Sequence, residues 1–304
     1  MRMNSEEKTR LEKYLEQKRV EVEAAVDRLV PPADTYPQVL FEAARYSLFA
    51  GGKRLRPILC IAAAESLGGS SGQVMPCACA LEMIHTYSLI HDDLPAMDDD
   101  DYRRGKPTNH KIFGEGMAVL AGDVLLTDAF RLLSDRGLFP DAAAGDLLRV
   151  VHEISRAAGF FGMVAGQAVD LDSEGKDVTF ETLMYIHDHK TAALITVSLR
   201  SGAILAGASE ARLSDLTKYG RNIGLAFQIT DDILNVEGDP ALMGKGTGSD
   251  GVRRKATWPS VAGLEKAREK VGELVEAALA RIASFDDRAE PLRLIARYVG
   301  ERKT

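Results

Sequence analysis

The sequence predicts an all-α protein, and three observations carry that reading. Apolar residues recur at helical spacing along most of the 304 residues. Long Ala/Leu/Glu/Lys/Arg-rich stretches contain few β-branched runs. No segment alternates with period two for long enough to make a half-buried strand. No Pro/Gly/Ser linker divides the chain and no fixed-period repeat runs through it, so the expectation is one domain over 1–304, a single bundle of about ten or more helices.

Each element follows from a periodic stretch and the breaker that ends it. Glu6–Leu29 stops at Pro31-Pro32, and Gln38–Ala50 stops at Gly51-Gly52. Pro57–Leu67 opens on a proline, suited to a first helical turn, and closes at Gly68-Gly69. Gln73–His91 is followed by an acidic run and by Gly105–Pro107. Ala118–Ser134, Ala142–Val169 and Phe180–Ala206 come next, with Leu171–Asp177 as the break before the last of these. Ala211–Asn235 ends before the glycine-rich 238–251, and Pro259–Ser284 and Asp287–Arg302 complete the chain. Gln73–His91 and Lys190–Ala206 are apolar on most faces, which predicts central, buried helices and favours a dimer.

Composition excludes several classes of function. Lys+Arg 38 against Asp+Glu 45 gives a net charge of −7, the wrong sign for a general nucleic-acid binder. Cys60, Cys77 and Cys79 are too few and wrongly spaced for a disulfide framework or a zinc site, and read as small core residues. The N-terminal segment is charged throughout and no apolar stretch is long enough to span a bilayer, so a cytoplasmic protein without a membrane span is expected.

Two acidic clusters depart from ordinary helix composition. One is His91-Asp92-Asp93-Leu94-Pro95-Ala96-Met97-Asp98, continued by Asp99–Asp101. Acidic runs are usually just solvated, but here the aspartates end a strongly apolar helix, where an uncompensated carboxylate is costly. His85, Ser88 and Asp92 share a helix face, and Pro95 should break the helix so that Asp98 turns back toward Asp92. The other cluster puts Gln228, Asp231, Asp232 and Asn235 at i, i+3, i+4, i+7, again one face. Oxygen-only donors without a His/Cys set suit Mg²⁺, which keeps waters and substrate phosphates in its shell.

Basic residues accompany the acids. Gly51-Gly52-Lys53-Arg54-Leu55-Arg56-Pro57 leads a glycine turn into a helix N-terminus, and Arg103-Arg104-Gly105-Lys106 follows the first acidic run. Such arginines and helix N-termini suit diphosphate groups. Lys190, Lys245 and Lys255 are further candidates. A nucleoside triphosphatase competes for this chemistry, but 238–246 has the wrong P-loop spacing, with Gly246 where Ser or Thr should follow Lys245.

Taken in order, these motifs resemble those of the trans-isoprenyl diphosphate synthases, and most closely the bacterial short-chain farnesyl members. The Asp92–Asp98 motif with its two-residue insertion, Arg103-Arg104-Gly105, Gly51–Pro57, Gly166-Gln167, Lys190-Thr191, Gln228 with Asp231-Asp232, and Lys255 carry the likeness, from about Leu40 onward. The resemblance implies the isoprenoid synthase fold, an all-α homodimer with a central cavity. It implies Asp92, Asp98 and Asp231 as ligands of about three Mg²⁺ ions. Arg103, Lys190, Thr191, Gln228 and Lys245 would hold the allylic diphosphate, and Lys53, Arg56, His85 and Arg104 that of isopentenyl diphosphate. Lys255 would close the site beside a 244–251 lid. Asn235 stands where the family usually has a final Asp, which leaves a carbonyl ligand without charge.

The activity implied is Mg-dependent, head-to-tail (1'-4) condensation of isopentenyl diphosphate with dimethylallyl or geranyl diphosphate, by ionisation, condensation and elimination. In this family the cavity floor precedes the first motif. Here that places Tyr87 and Ser88 at the floor, Tyr87 lying roughly 7.5 Å from Asp92 at about 1.5 Å per residue. Tyr87 is expected to stop the chain at (E,E)-farnesyl diphosphate, with geranylgeranyl diphosphate as the alternative. A terpene cyclase lacks support because no N-D-x-x-S-x-x-x-E pattern follows Asp231, and a non-catalytic partner subunit because nearly all ligands are present. His187 and His189 read as surface or packing residues, and His91 and His110 receive no role.

Overall fold

The computed structural model describes residues 3–237 and 257–302. Helix α1 (Ser5–Leu29) opens on a capping box in which Asn4 and Glu7 exchange side-chain-to-backbone bonds, and α2 (Gln38–Leu48) and α3 (Leu55–Glu65) follow. Helix α4 (Ser71–Asp92) starts on the Ser70 cap and is buried along nearly its whole length. After it come α5 (Asn109–Phe113), α6 (Glu115–Ser134), α7 (Ala144–Ala158), α8 (Met163–Asp172) and α9 (Phe180–Ile186). A π-helical turn (His187–Ala192) leads into α10 (Ala193–Leu205), then α11 (Glu210–Glu237), α12 (Trp258–Ala262), α13 (Leu264–Arg281) and α14 (Glu290–Glu301).

Helices α3, α4 and α10 form the centre, packed on one another and wrapped by α1, α6, α7, α11 and α14. The all-round apolar character of α4 and α10 is therefore satisfied inside one chain, and by itself calls for no partner. Cys60, Cys77 and Cys79 are free thiols in this core. A buried ion pair locks its edge: Arg54 donates to Glu82 at 2.7 Å and to the Leu48 carbonyl at 2.7 Å. No helix among the described residues is long and apolar enough to cross a membrane.

The structure departs from the sequence expectation at several places: α5 is an added helix, the π-turn divides Phe180–Ala206, and three further departures follow. Ala142–Val169 is two helices, because the chain breaks at Gly159–Gly162 between α7 and α8. Pro259–Ser284 is likewise divided, by Gly263 at φ 90°. A two-residue antiparallel ladder, β1 (Tyr102–Arg103) with β2 (Lys106–Pro107), appears where only a loop was expected. Its turn places Arg104 and Gly105 at φ 53° and 74°, the backbone a tight hairpin requires. That turn aims Arg103 and Arg104 in fixed directions.

Candidate functional site

A cavity of about 810 Å³ opens beside the C-terminal half of α4. One part of its wall is polar: Arg56, His85, Asp92, Arg103, Arg104, Gln167, Lys190, Thr191, Gln228 and Asp231. The rest is largely apolar, with Tyr87, Leu94, Met97, Val119, Met163, Val164, Leu171 and Phe227. Helices α4, α6, α8 and α11, the π-turn and the β1–β2 hairpin all contribute.

The first acidic segment behaves as Pro95 predicts. Helix α4 ends at Asp92, and the chain folds back so that the Asp98 N–H donates to the Asp92 carbonyl at 2.7 Å. Burial raises the Asp92 pKa, Lys190 opposes that shift and Asp98 adds to it. Its neighbour Asp93 faces elsewhere: it is buried and accepts from Arg103 Nε at 2.6 and 2.8 Å. Arg103 also reaches Asp100 at 3.4 Å.

Cations gather on the adjoining wall. Arg104 donates to the Gly51 carbonyl. Burial pushes the Arg56 pKa down to about 10, with Arg104 contributing in the same direction, and the Arg56 Nε atom has no hydrogen-bond partner. Burial, then the charges of Arg56, Arg104 and Arg103, hold the His85 imidazole well below its usual range, so it is neutral. Buried cations that repel one another in this way mark a candidate anion site.

The second acidic face is built differently. Lys190, on the π-turn, pairs with Asp170 of α8 at 2.6 Å. Gly166 permits this closeness, since a Cβ there would lie 2.2 Å from the Lys190 backbone nitrogen. Thr191 donates to Gln228 Oε1 at 2.6 Å, and Gln228 Nε2 donates to Asp232 at 3.0 Å. Asp232 is buried; it also accepts from the Trp258 N–H at 2.8 Å and lies 3.3 Å from His187 Nε2. Asp231 faces the cavity, where burial raises its pKa against the pull of Arg302. Arg302, near the C-terminus, donates to the Asp231 carboxylate and stacks 3.9 Å over the Phe227 ring.

The structure therefore brings Asp92, Asp231, Arg56, His85, Arg103, Arg104, Lys190, Thr191, Gln228, Tyr87 and Ser88 to one cavity. Asp98 and Lys53 are not part of its wall, but Asp98 acts electrostatically on Asp92 and Lys53 on Asp231. Lys53 Nζ stands 5.7 Å over the Tyr298 ring. Asn235 is half-buried on α11, one turn past Asp231. Lys245, Lys255, Asp239 and the 244–251 segment lie outside the described residues. His187, read from sequence as surface or packing, is a buried partner of Asp232. Asp170 and Arg302 escaped the sequence reading. Asp170 sits at i+3 from Gln167 on one helix face, a usable signal; Arg302 is a lone C-terminal arginine and offers none.

An all-α bundle whose cavity is lined by apolar side chains together with carboxylates and cations is suited to molecules with an anionic head and a hydrocarbon tail. The family model described as polyprenyl synthetase matches residues 37–292, and the chain belongs to that family. It is 47% identical to a geranylgeranyl diphosphate synthase of Cyanophora paradoxa over 290 residues, 95% of each chain. It is 45% identical to a farnesyl diphosphate synthase of Geobacillus stearothermophilus over 294 residues, 96% of this chain and 98% of the relative. An FPP/GFPP synthase from Zymomonas mobilis superposes with a TM-score of 0.85 at 38% identity, covering 96% of this chain and 99% of that one. The chain is thus a prenyltransferase, and its relatives differ in the product they are named for.

Proposed function

We propose that the protein couples isopentenyl diphosphate head to tail (1'-4) with dimethylallyl and then geranyl diphosphate, releasing (E,E)-farnesyl diphosphate. The observation that carries this reading is the single cavity in which the polar wall around Asp92 and Asp231 adjoins an apolar wall containing Tyr87. Lys190, Thr191, Gln228 and Arg103 would hold the allylic diphosphate, joined by Lys245. Arg56, His85, Arg104 and Lys53 would hold the diphosphate of isopentenyl diphosphate. Lys255 would complete the closed site. Excess buried positive charge then favours departure of pyrophosphate, and the apolar wall keeps water from the allylic cation.

The donor chemistry fits Mg²⁺. Asp92 and Asp231 are carboxylates on one cavity, each with a raised pKa that a nearby cation would reverse. Among the described residues no three carboxylate, imidazole or thiolate groups converge on a point. Asp92, Asp98 and Asp231 would therefore share about three ions with diphosphate oxygens and water, as hard divalent cations prefer. Bound there, the ions would supply Lewis-acid stabilisation of the departing pyrophosphate.

A homodimer belongs to the same proposal. Leu120, Leu148 and Phe160 on and beside α6 and α7 are 50%, 70% and 89% exposed, apolar side chains that a second copy would cover. A cytoplasmic location fits the three unpaired cysteines. The product length has a second reading, geranylgeranyl diphosphate, because relatives named for either product are similarly close.

Mass spectrometry of the products formed from Mg²⁺, isopentenyl diphosphate and dimethylallyl diphosphate tests the proposal. Farnesyl diphosphate as the main product supports it. A geranylgeranyl product keeps the chemistry and removes Tyr87 as the stop, and no coupling removes the reading.

A further inference from the structure

His91 was left without a role by its sequence, yet it occupies a fixed place in the cavity wall. It lies one helical turn after Tyr87 on the same face of α4, on the side that packs against α6. Several contacts hold the imidazole, including Asp123 of α6, whose Oδ1 lies 3.9 Å from Nε2. Nε2 stands 3.0 Å from the Val119 carbonyl of α6, which makes Nε2 the protonated nitrogen and the donor. The ring rests on the bare backbone of α6 at Gly122, where a Cβ would fall 2.1 Å from Nε2 and 2.5 Å from Cδ2. On its other side it meets Tyr87 edge to face, with centroids 5.7 Å apart and planes at 81°.

Tyr87 depends on this arrangement. Its ring is buried and packs edge to face on the His91 imidazole. That packing bears on how far the phenol projects into the cavity. Gly122, His91 and Tyr87 make a wedge, each part seated on the one before it.

We infer that His91 is a positioning residue for product length: anchored on Gly122 and the Val119 carbonyl, it sets the reach of Tyr87 and with it the length of hydrocarbon the cavity accepts. The inference rests on the prenyl-coupling reading above and extends it from Tyr87 to the residues that hold Tyr87. Truncating His91 empties the space between Tyr87 and α6, into which the phenol can turn. Adding a methyl at Gly122 forces the imidazole toward Tyr87 and narrows the same space. The two changes act in opposite directions on chain length, and neither replaces a residue proposed to bind diphosphate or metal.

The test is the ratio of longer to shorter products from wild type, His91→Ala, Gly122→Ala and the double variant, read by mass spectrometry with isopentenyl and dimethylallyl diphosphate. His91→Ala should raise the ratio about tenfold, the scale on which an apolar site senses one or two methylenes, with KM for isopentenyl diphosphate little changed. Gly122→Ala should lower it. The double variant should fold and return the ratio above wild type, because the clash has lost its partner, and this rescue keeps the test decisive where Gly122→Ala alone does not fold. An unchanged ratio in His91→Ala, from a wild type that couples normally, overturns this inference and leaves the proposed function standing. A wild type that couples nothing overturns both.

Discussion

Two of the molecule's Asp-Asp pairs, Asp92-Asp93 and Asp231-Asp232, are handled in opposite structural settings. Asp92-Asp93 closes a helix, after which the chain turns at Pro95 and returns as a hairpin. Asp231-Asp232 lies within a helix that runs on to Glu237. Yet each pair divides in the same way. One aspartate faces the cavity, Asp92 or Asp231, and its neighbour is committed to holding structure, Asp93 to Arg103 and Asp232 to Gln228, Trp258 and His187. Adjacent helical residues point about 100° apart, so a doubled aspartate naturally serves two surfaces. Each motif thus holds one cavity-facing carboxylate and one that positions its surroundings.

The largest expected effect tests the cavity-facing member. Asp92→Ala should lower kcat by about 100-fold or more, the order seen when a charge-stabilising group is lost, with the circular dichroism spectrum unchanged. Retained turnover would break the comparison. The committed member should respond in the other observable. Asp232→Ala removes a buried carboxylate with several partners and should cost about 3 kcal/mol of stability, read as a fall in the denaturant midpoint. Asp231→Ala should cost activity with a much smaller loss of stability. Equal losses from both Asp231→Ala and Asp232→Ala would show that the pair is not divided.

A pH experiment sharpens the electrostatic side. His85 has its folded pKa depressed by burial and by neighbouring arginines, so below its unfolded value the unfolded chain binds a proton that the folded one refuses. Stability should therefore fall as pH drops below about 6.5, with a contribution of at most ~1.4 kcal/mol per pH unit. His85→Asn should flatten that limb in denaturant titrations between pH 5 and 7, a window set by the ordinary histidine range. The smallest effect belongs to Asn235→Asp. Its side chain stands one turn beyond Asp231, and restoring the charge should change kcat/KM by less than about tenfold, under 1.4 kcal/mol.

Much of the fold and site was legible because the signals were local. Helical periodicity marked α4 and α10 as buried, Pro95 predicted the return of Asp98 to Asp92, and the i, i+3, i+4, i+7 spacing put Gln228 and Asp231 on one face. What stayed hidden depends on partners distant in sequence. Within Gly51–Pro57 no spacing along the chain reveals that Arg54 is spent on Glu82 while Arg56 faces the cavity. The β1–β2 hairpin is too short for any period to register. His187 and Arg302 gain their meaning only from Asp232 and Asp231, 45 and 71 residues away respectively along the chain.

By itself, then, the amino-acid sequence determined the helical class, the order of the chemical motifs and which residues could share a face, because those follow from spacing along one helix. Only the tertiary structure decided what the second aspartate of each pair holds, on which carboxylate Arg54 is spent, and what stands behind Tyr87. Those outcomes depend on close approach between helices: a missing side chain at Gly122 or Gly166 lets His91 or the Lys190 backbone sit where a Cβ would have excluded it. Close packing admits one such arrangement at each contact, and no periodicity along the chain records it.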